Sequence, residues 1–233
     1  MGSLDYSYEY IDWQHEAIAP EDFEHDGLLY SHVINPALTI GLSDYVNVTV
    51  SKVVGVRTME YQSADTPHHR NEGSDSDFIN AIGGLLGDTK FFLRYLILND
   101  GMRGNRFFIG TGLSIPSKNT LTSSPYLTDD EGISPDHRHF SMSEGAYKWS
   151  GELQFFRKLA PPIIFWGGSA TITVPIVENK YEFLSSTYID LSFSLLTKKI
   201  KIINASLGMY MQYKYSSASK WAGKPSPNSK SSM

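Results

Sequence analysis

The chain has 233 residues and a formal net charge of −5, with 41% hydrophobic and only 19% charged residues. That length suits one all-β domain or barrel, and the acidic balance argues against a nucleic-acid surface. Cysteine is absent, which excludes disulfides and thiolate metal sites.

Apolar and polar residues alternate at period two through most of the chain, the signature of strands with one greasy face. Nine candidate strands follow in order. The first, Leu4 to Trp13, puts Leu4, Tyr6, Tyr8 and Tyr10 on one face. The second, Leu28 to Leu42, holds Pro36, which cannot donate to a ladder. The third, Tyr45 to Tyr61, sets Val46, Val48, Val50, Val54 and Val56 against Asn47, Thr49, Ser51 and Arg57, with Lys52 misplaced on the apolar face. The fourth, Thr89 to Asn99, sets Phe91, Leu93, Tyr95 and Ile97 against Lys90, Phe92 and Arg94.

The fifth, Arg106 to Ile115, carries Phe107, Ile109, Leu113 and Ile115 on its apolar face. The sixth, Tyr147 to Leu159, sets Tyr147, Trp149, Leu153 and Phe155 against Ser150, Glu152 and Gln154. The seventh, Ile163 to Ile176, alternates most cleanly: Ile164, Trp166, Ala170, Ile172 and Val174 against Ser169, Thr171 and Thr173. The eighth, Thr187 to Thr197, and the ninth, Ile203 to Tyr215, repeat the pattern. Residues 1–215 read as one barrel domain and 216–233 as a polar loop or disordered tail, rich in Ser, Lys and Pro.

The connections alternate in length. Ser43–Asp44, Asp100–Asn105, Ala160–Pro162 and Lys198–Lys201 are short; Gln62–Gly87, Ser117–Ala146 and Glu178–Ser186 are longer and polar. A membrane barrel has short periplasmic turns and long outer loops. No apolar run approaches the ~20 residues of a membrane helix. The mean hydropathy of −0.25 does not weigh against a barrel, whose alternating strands average out in any window. Nine strands are an odd number, and no signal peptide stands before the first. The expectation is therefore a truncated barrel with a gap or poor pairing between its first and last strands.

Arg57, Lys90, Arg94, Arg106, Glu152 and Asp190 all fall on the polar parity, where they would line a barrel lumen and set its ion preference. Tyr6, Tyr30, Tyr147, Trp149, Trp166 and Tyr213 fall on the apolar parity, as interfacial girdles do. His68 and His69 lie near Glu72 and Asp75, and His137 and His139 near Asp136. They are weak metal-ligand candidates, outweighed by incidental histidines in polar loops. No nucleophile–base pair, no cofactor motif and no oxyanion signature is legible, so no enzyme is expected.

Three stretches carry a resemblance: GLSDYVNVTVS (Gly41 to Ser51), GLLGDTKFFLRYLI (Gly84 to Ile97) and NRFFIGTGLSIPSKN (Asn105 to Asn119). Gly41, Leu42 and Asp44 match a Gly-Leu-x-Asp turn, Gly87 and Asp88 a Gly-Asp before a descending strand, and Gly112, Leu113 and Pro116 a Gly-Leu-x-x-Pro strand end. Over roughly residues 27 to 120 the chain resembles the bacterial outer-membrane transporter-like barrels named for the meta-pathway of phenol degradation. The resemblance implies uptake of hydrophobic or aromatic compounds and supplies no catalytic residues.

The expected fold is thus all-β: an antiparallel up-and-down transmembrane β-barrel in the bacterial outer membrane, with the lipid bilayer and a small solute as partners and no cofactor. The rival is a soluble all-β carrier or structural protein, lipocalin-like or a sandwich, with its apolar parity packed inward. A barrel enzyme or adhesin is a third reading.

Overall fold

The computed structural model describes residues 1–15, 25–61, 81–82, 85–124, 140–161, 163–202 and 204–226. Nine long strands make one sheet: β1 (Gly2–His15), β2 (His25–Gly41), β3 (Val46–Tyr61), β4 (Leu86–Asp100), β5 (Asn105–Ile115), β6 (Lys148–Lys158), β7 (Ile163–Pro175), β8 (Tyr188–Thr197) and β9 (Gly208–Ser216). Each pairs antiparallel with its neighbours in the chain, and the sheet curls into a half-barrel. No helix occurs among the described residues.

The eight antiparallel steps leave β1 and β9 running in the same direction, and neither has a second partner among the described residues. The sheet is therefore open, as an odd strand number leads one to expect. Two smaller sheets lie at the long-loop end. One joins Phe183–Leu184, Lys220–Trp221 and Lys224–Pro225, with Phe183 and Trp221 rings 4.8 Å apart. The other pairs Ala81–Ile82 with Thr120–Leu121. The stretch after β9 is thus held, up to Ser226, by contacts that include the Phe183–Trp221 pair, backbone bonds and a hydrogen bond from the Thr187 N–H to the Ser217 hydroxyl at 2.9 Å.

The two faces have opposite chemistry, and the apolar one is outside. On the convex face Leu93, Ile109, Leu153 and Ile172 each expose 40–47% of their surface, while Ser114, Ser150 and Glu152 on the concave face expose 2–9%. Among the described residues the buried apolar side chains are Leu29, Leu96 and Ala146 alone; the buried polar set has ten members, seven of them serines. Leu191 and Leu207 also lie exposed, whereas Phe155 is half-buried because Trp166 packs over it at 5.3 Å. Tyr6, Tyr147, Trp149 and Tyr213 stand exposed on the convex side, and Tyr30 and Trp166 are half-buried there.

Local chemistry explains the irregularities. Pro36 lies inside β2, not at its edge; pairing to β3 lapses at Asn35 and Pro36, opposite Lys52 and Val53, while β1 continues unbroken. The register between β3 and β4 shifts at the same height, between Lys52 and Val54. Lys52 keeps its place on the apolar face by donating to the Thr89 hydroxyl at 2.9 Å. The expected start of the ninth strand at Ile203 is corrected to Gly208. Ile203 lies outside the described residues; before Gly208, Ile200 bridges Ala205 and Asn204 sits at φ 53°, a left-handed conformation that asparagine tolerates.

The turn after β4 needs one glycine. Gly104 has φ +69°, and a Cβ there would lie 2.8 Å from the Lys158 carbonyl oxygen, whereas Gly101 faces open space. Gly104→Ala should cost more than about 1 kcal/mol and Gly101→Ala less than about 0.5 kcal/mol, read from denaturant unfolding of detergent-folded protein. Equal losses would show that the turn geometry is not the constraint.

Candidate functional site

The concave face carries a charged bridge at mid-height. Arg94 on β4 and Glu152 on β6 are two strands apart, with Gly110 of β5 directly between them in register. Neighbouring strands lie about 4.8 Å apart, so the two side chains meet only because the middle position is empty. Arg94 Nε donates to Glu152 Oε2 at 2.5 Å and Nη2 to Oε1 at 3.2 Å, a bidentate fork. A Cβ on Gly110 would lie 3.1 Å from Oε2 and 3.3 Å from Arg94 Cγ.

Further contacts fix the guanidinium. Its Nη1 donates to Thr49 Oγ1 at 3.3 Å, and Thr49 exchanges a hydrogen bond with Thr39. The Phe92 ring lies beneath it, 4.6 Å from Cζ, a cation–π contact. Phe92 itself lies over Gly110 and Gly112, where any Cβ would collide with the ring. The same device recurs where Phe156 covers Gly167.

Between the bridge and the short turns lies a cavity of about 1020 Å³. Phe108, Phe156 and Phe165 form one wall, with Phe156 and Phe165 stacked at 5.6 Å and Phe108 edge-on to Phe156 at 6.3 Å. Arg106 and Lys158 also line it.

At the long-loop end a strap, residues 140–146, folds onto the concave face. Arg57 Nη1 donates to the Ser141 carbonyl at 2.7 Å, and the Met142 N–H donates to Asn119 at 3.2 Å. The Met142 methyl reaches into the notch at Gly55, 3.1 Å from where a Cβ would stand. Beyond it Glu144 accepts hydrogen bonds from Lys148 and from the Tyr188 hydroxyl, and Asn179 Nδ2 donates to the Glu144 carbonyl at 3.2 Å.

All six charged residues singled out from the sequence fall on the concave register. Arg57 opposes Ser31, Lys90 opposes Ser51 and Ser114, and Asp190 opposes Thr171 and Lys214. They do not form one cluster: Arg94 and Glu152 bind each other, Arg57 holds the strap, Asp190 accepts from Gln212 at 3.3 Å, and Arg106 lies in the cavity. His68, His69, His137 and His139 lie outside the described residues. Sequence reasoning missed Phe108 and Phe156. Their signal was a bulky ring on the polar parity, legible as a wall only once register sets Phe108 and Phe156 on adjacent strands and Phe156 over a glycine.

Compared with known proteins, the chain matches no family model and no curated sequence.

Glu152 has a side chain only 8% exposed, against 25% for Arg94. Arg94→Met should therefore destabilise by about 1–3 kcal/mol, the cost of leaving a buried polar group unpaired. Arg94→Met with Glu152→Gln should recover most of that loss in a double-mutant cycle. Additive losses would mean that the two groups are not coupled.

Proposed function

We propose that this chain forms the wall of a bacterial outer-membrane β-barrel that passes or binds small solutes along a polar lumen. The observation that carries the reading is the inverted burial: large Leu, Ile, Trp and Tyr side chains stand exposed on the convex face, while ten buried polar residues outnumber three buried apolar ones among the described residues. A soluble β-fold needs its apolar parity against another layer, and here that parity faces away from the chain. Lipid is the solvent that such a face matches. Three of the four connections at one end are short, at 42–45, 101–104 and 159–162, with the ten residues 198–207 as the exception; they add support, as does the resemblance of residues 27 to 120 to outer-membrane transporter-like hairpins.

The mechanism is passive. Solute enters past the long loops and the strap, passes the Arg94–Glu152 bridge, and leaves through the cavity at the short-turn end. Of the six charged residues singled out from the sequence, Arg57, Lys90, Arg94 and Arg106 carry four positive charges against two negative charges on Glu152 and Asp190, and Lys158 adds another cation to the cavity wall. A lumen so lined favours anions.

Two measurements test this. Ile172→Arg, on the convex face, should weaken folding into lipid vesicles by about 2–4 kcal/mol, while Gln154→Lys on the concave face should fold as the parent does; equal effects would sink the membrane reading. In planar bilayers the pore should prefer anions. Arg94→Glu should shift it toward cations, and Arg94→Glu with Glu152→Arg should restore the parent preference. A cation-selective parent pore, or no pore, contradicts the lumen assignment.

A further inference from the structure

The cavity at the short-turn end has a charge imbalance that the bridge above it does not use. Arg94 is committed to Glu152. Asp100 is committed to its own turn, accepting from the Met102 and Arg103 N–H groups at 3.1 and 3.0 Å. Arg106 and Lys158 remain, and neither side chain has a hydrogen bond or ion pair among the described residues. Register sets Arg106 opposite Phe156, and Lys158 lies two residues further along β6 on the same face. Diagonal neighbours of this kind sit about 7–8 Å apart, which long side chains span around one carboxylate. Between and beside them stand the rings of Phe108, Phe156 and Phe165.

The geometry points to a binding site for a small organic anion, one carboxylate on a flat apolar body. The carboxylate takes the Arg106 guanidinium and the Lys158 ammonium, and the body lies against the stacked Phe156–Phe165 pair. A simple inorganic anion would leave the three rings wet, and a neutral arene would leave two cations unpaired. The ligand class that satisfies both halves of the wall carries both features. The inference rests on the reading of the concave face as a solvent-filled lumen. It goes beyond that reading in assigning a site, a ligand class and two anchoring residues.

The test is calorimetric titration of the full chain, folded in detergent micelles, with benzoate, benzyl alcohol and acetate, each corrected for partition into empty micelles. Benzoate should bind at least about tenfold more tightly than either of the others. Arg106→Gln and Lys158→Gln should each weaken benzoate about tenfold, the scale of one charge-assisted hydrogen bond, without changing benzyl alcohol. Phe156→Leu should weaken benzoate and leave acetate unchanged. Heat-modifiable mobility on gels reports that each variant is folded, and two separate cation variants guard against loss of one. Benzoate binding no tighter than acetate, or insensitive to both cation variants, overturns the site. The outcomes separate from those of the pore reading. Bound benzoate without bilayer current leaves the site and removes the channel; current without selective benzoate binding does the reverse.

Discussion

A side chain on a sheet has two faces to choose from and no third, and this constraint governs everything else in the molecule. Along most strands the choice is made the same way, hydrocarbon outside the curve and hydroxyls and charges inside, with the inner rings of Phe92, Phe108, Phe156 and Phe165 as the exceptions. Backbone bonding carries the sheet with only three buried apolar side chains among the described residues, since the ladders satisfy most strand amides whatever faces outward. Among the described residues no second layer packs on the convex face.

The concave face is shaped by vacancy as much as by side chains. A strand neighbour normally screens the residues two strands apart. At Gly110 it does not, and an arginine and a glutamate join across the gap. Glycine weakens a strand interior, and the rings of Phe92 and Phe156 lie over the exposed backbone and restore contact. The glycines, rings and bridge are therefore one arrangement. Enlarging the glycine displaces the ring, and displacing the ring removes the surface beneath the guanidinium.

The strands were legible because alternation is a local property. Ile163 to Ile176 declares its two faces without reference to any neighbour. The parity of Arg94 and Glu152 was legible for the same reason, but not their contact, which depends on registers spanning three strands. The inner rings escaped notice because Phe108 and Phe156 sit on the parity where polar residues were expected, and a lone aromatic there looks like noise. The strap was illegible altogether: nothing in residues 140–146 announces that Arg57, some 84 positions away, will hold the Ser141 carbonyl. The start of β9 was misjudged because the sequence before Gly208 is apolar enough to pass for strand, while Asn204 takes a left-handed conformation that a strand does not hold.

The coincidence at β3 has a consequence for the shape of the wall. Pro36 interrupts the ladder on one side of the strand at the height where the register slips on the other. Bulges bend a strand and sharpen its twist, and here the bend is not resisted from the neighbouring strand. β3 thus acts as a corner post. The panel of β1 and β2 and the panel of β4 to β9 meet along a line thinned at one point, and the curvature of the half-barrel can change there with little loss of backbone bonding. In a wall built of rigid ladders, that is where the circumference is adjustable.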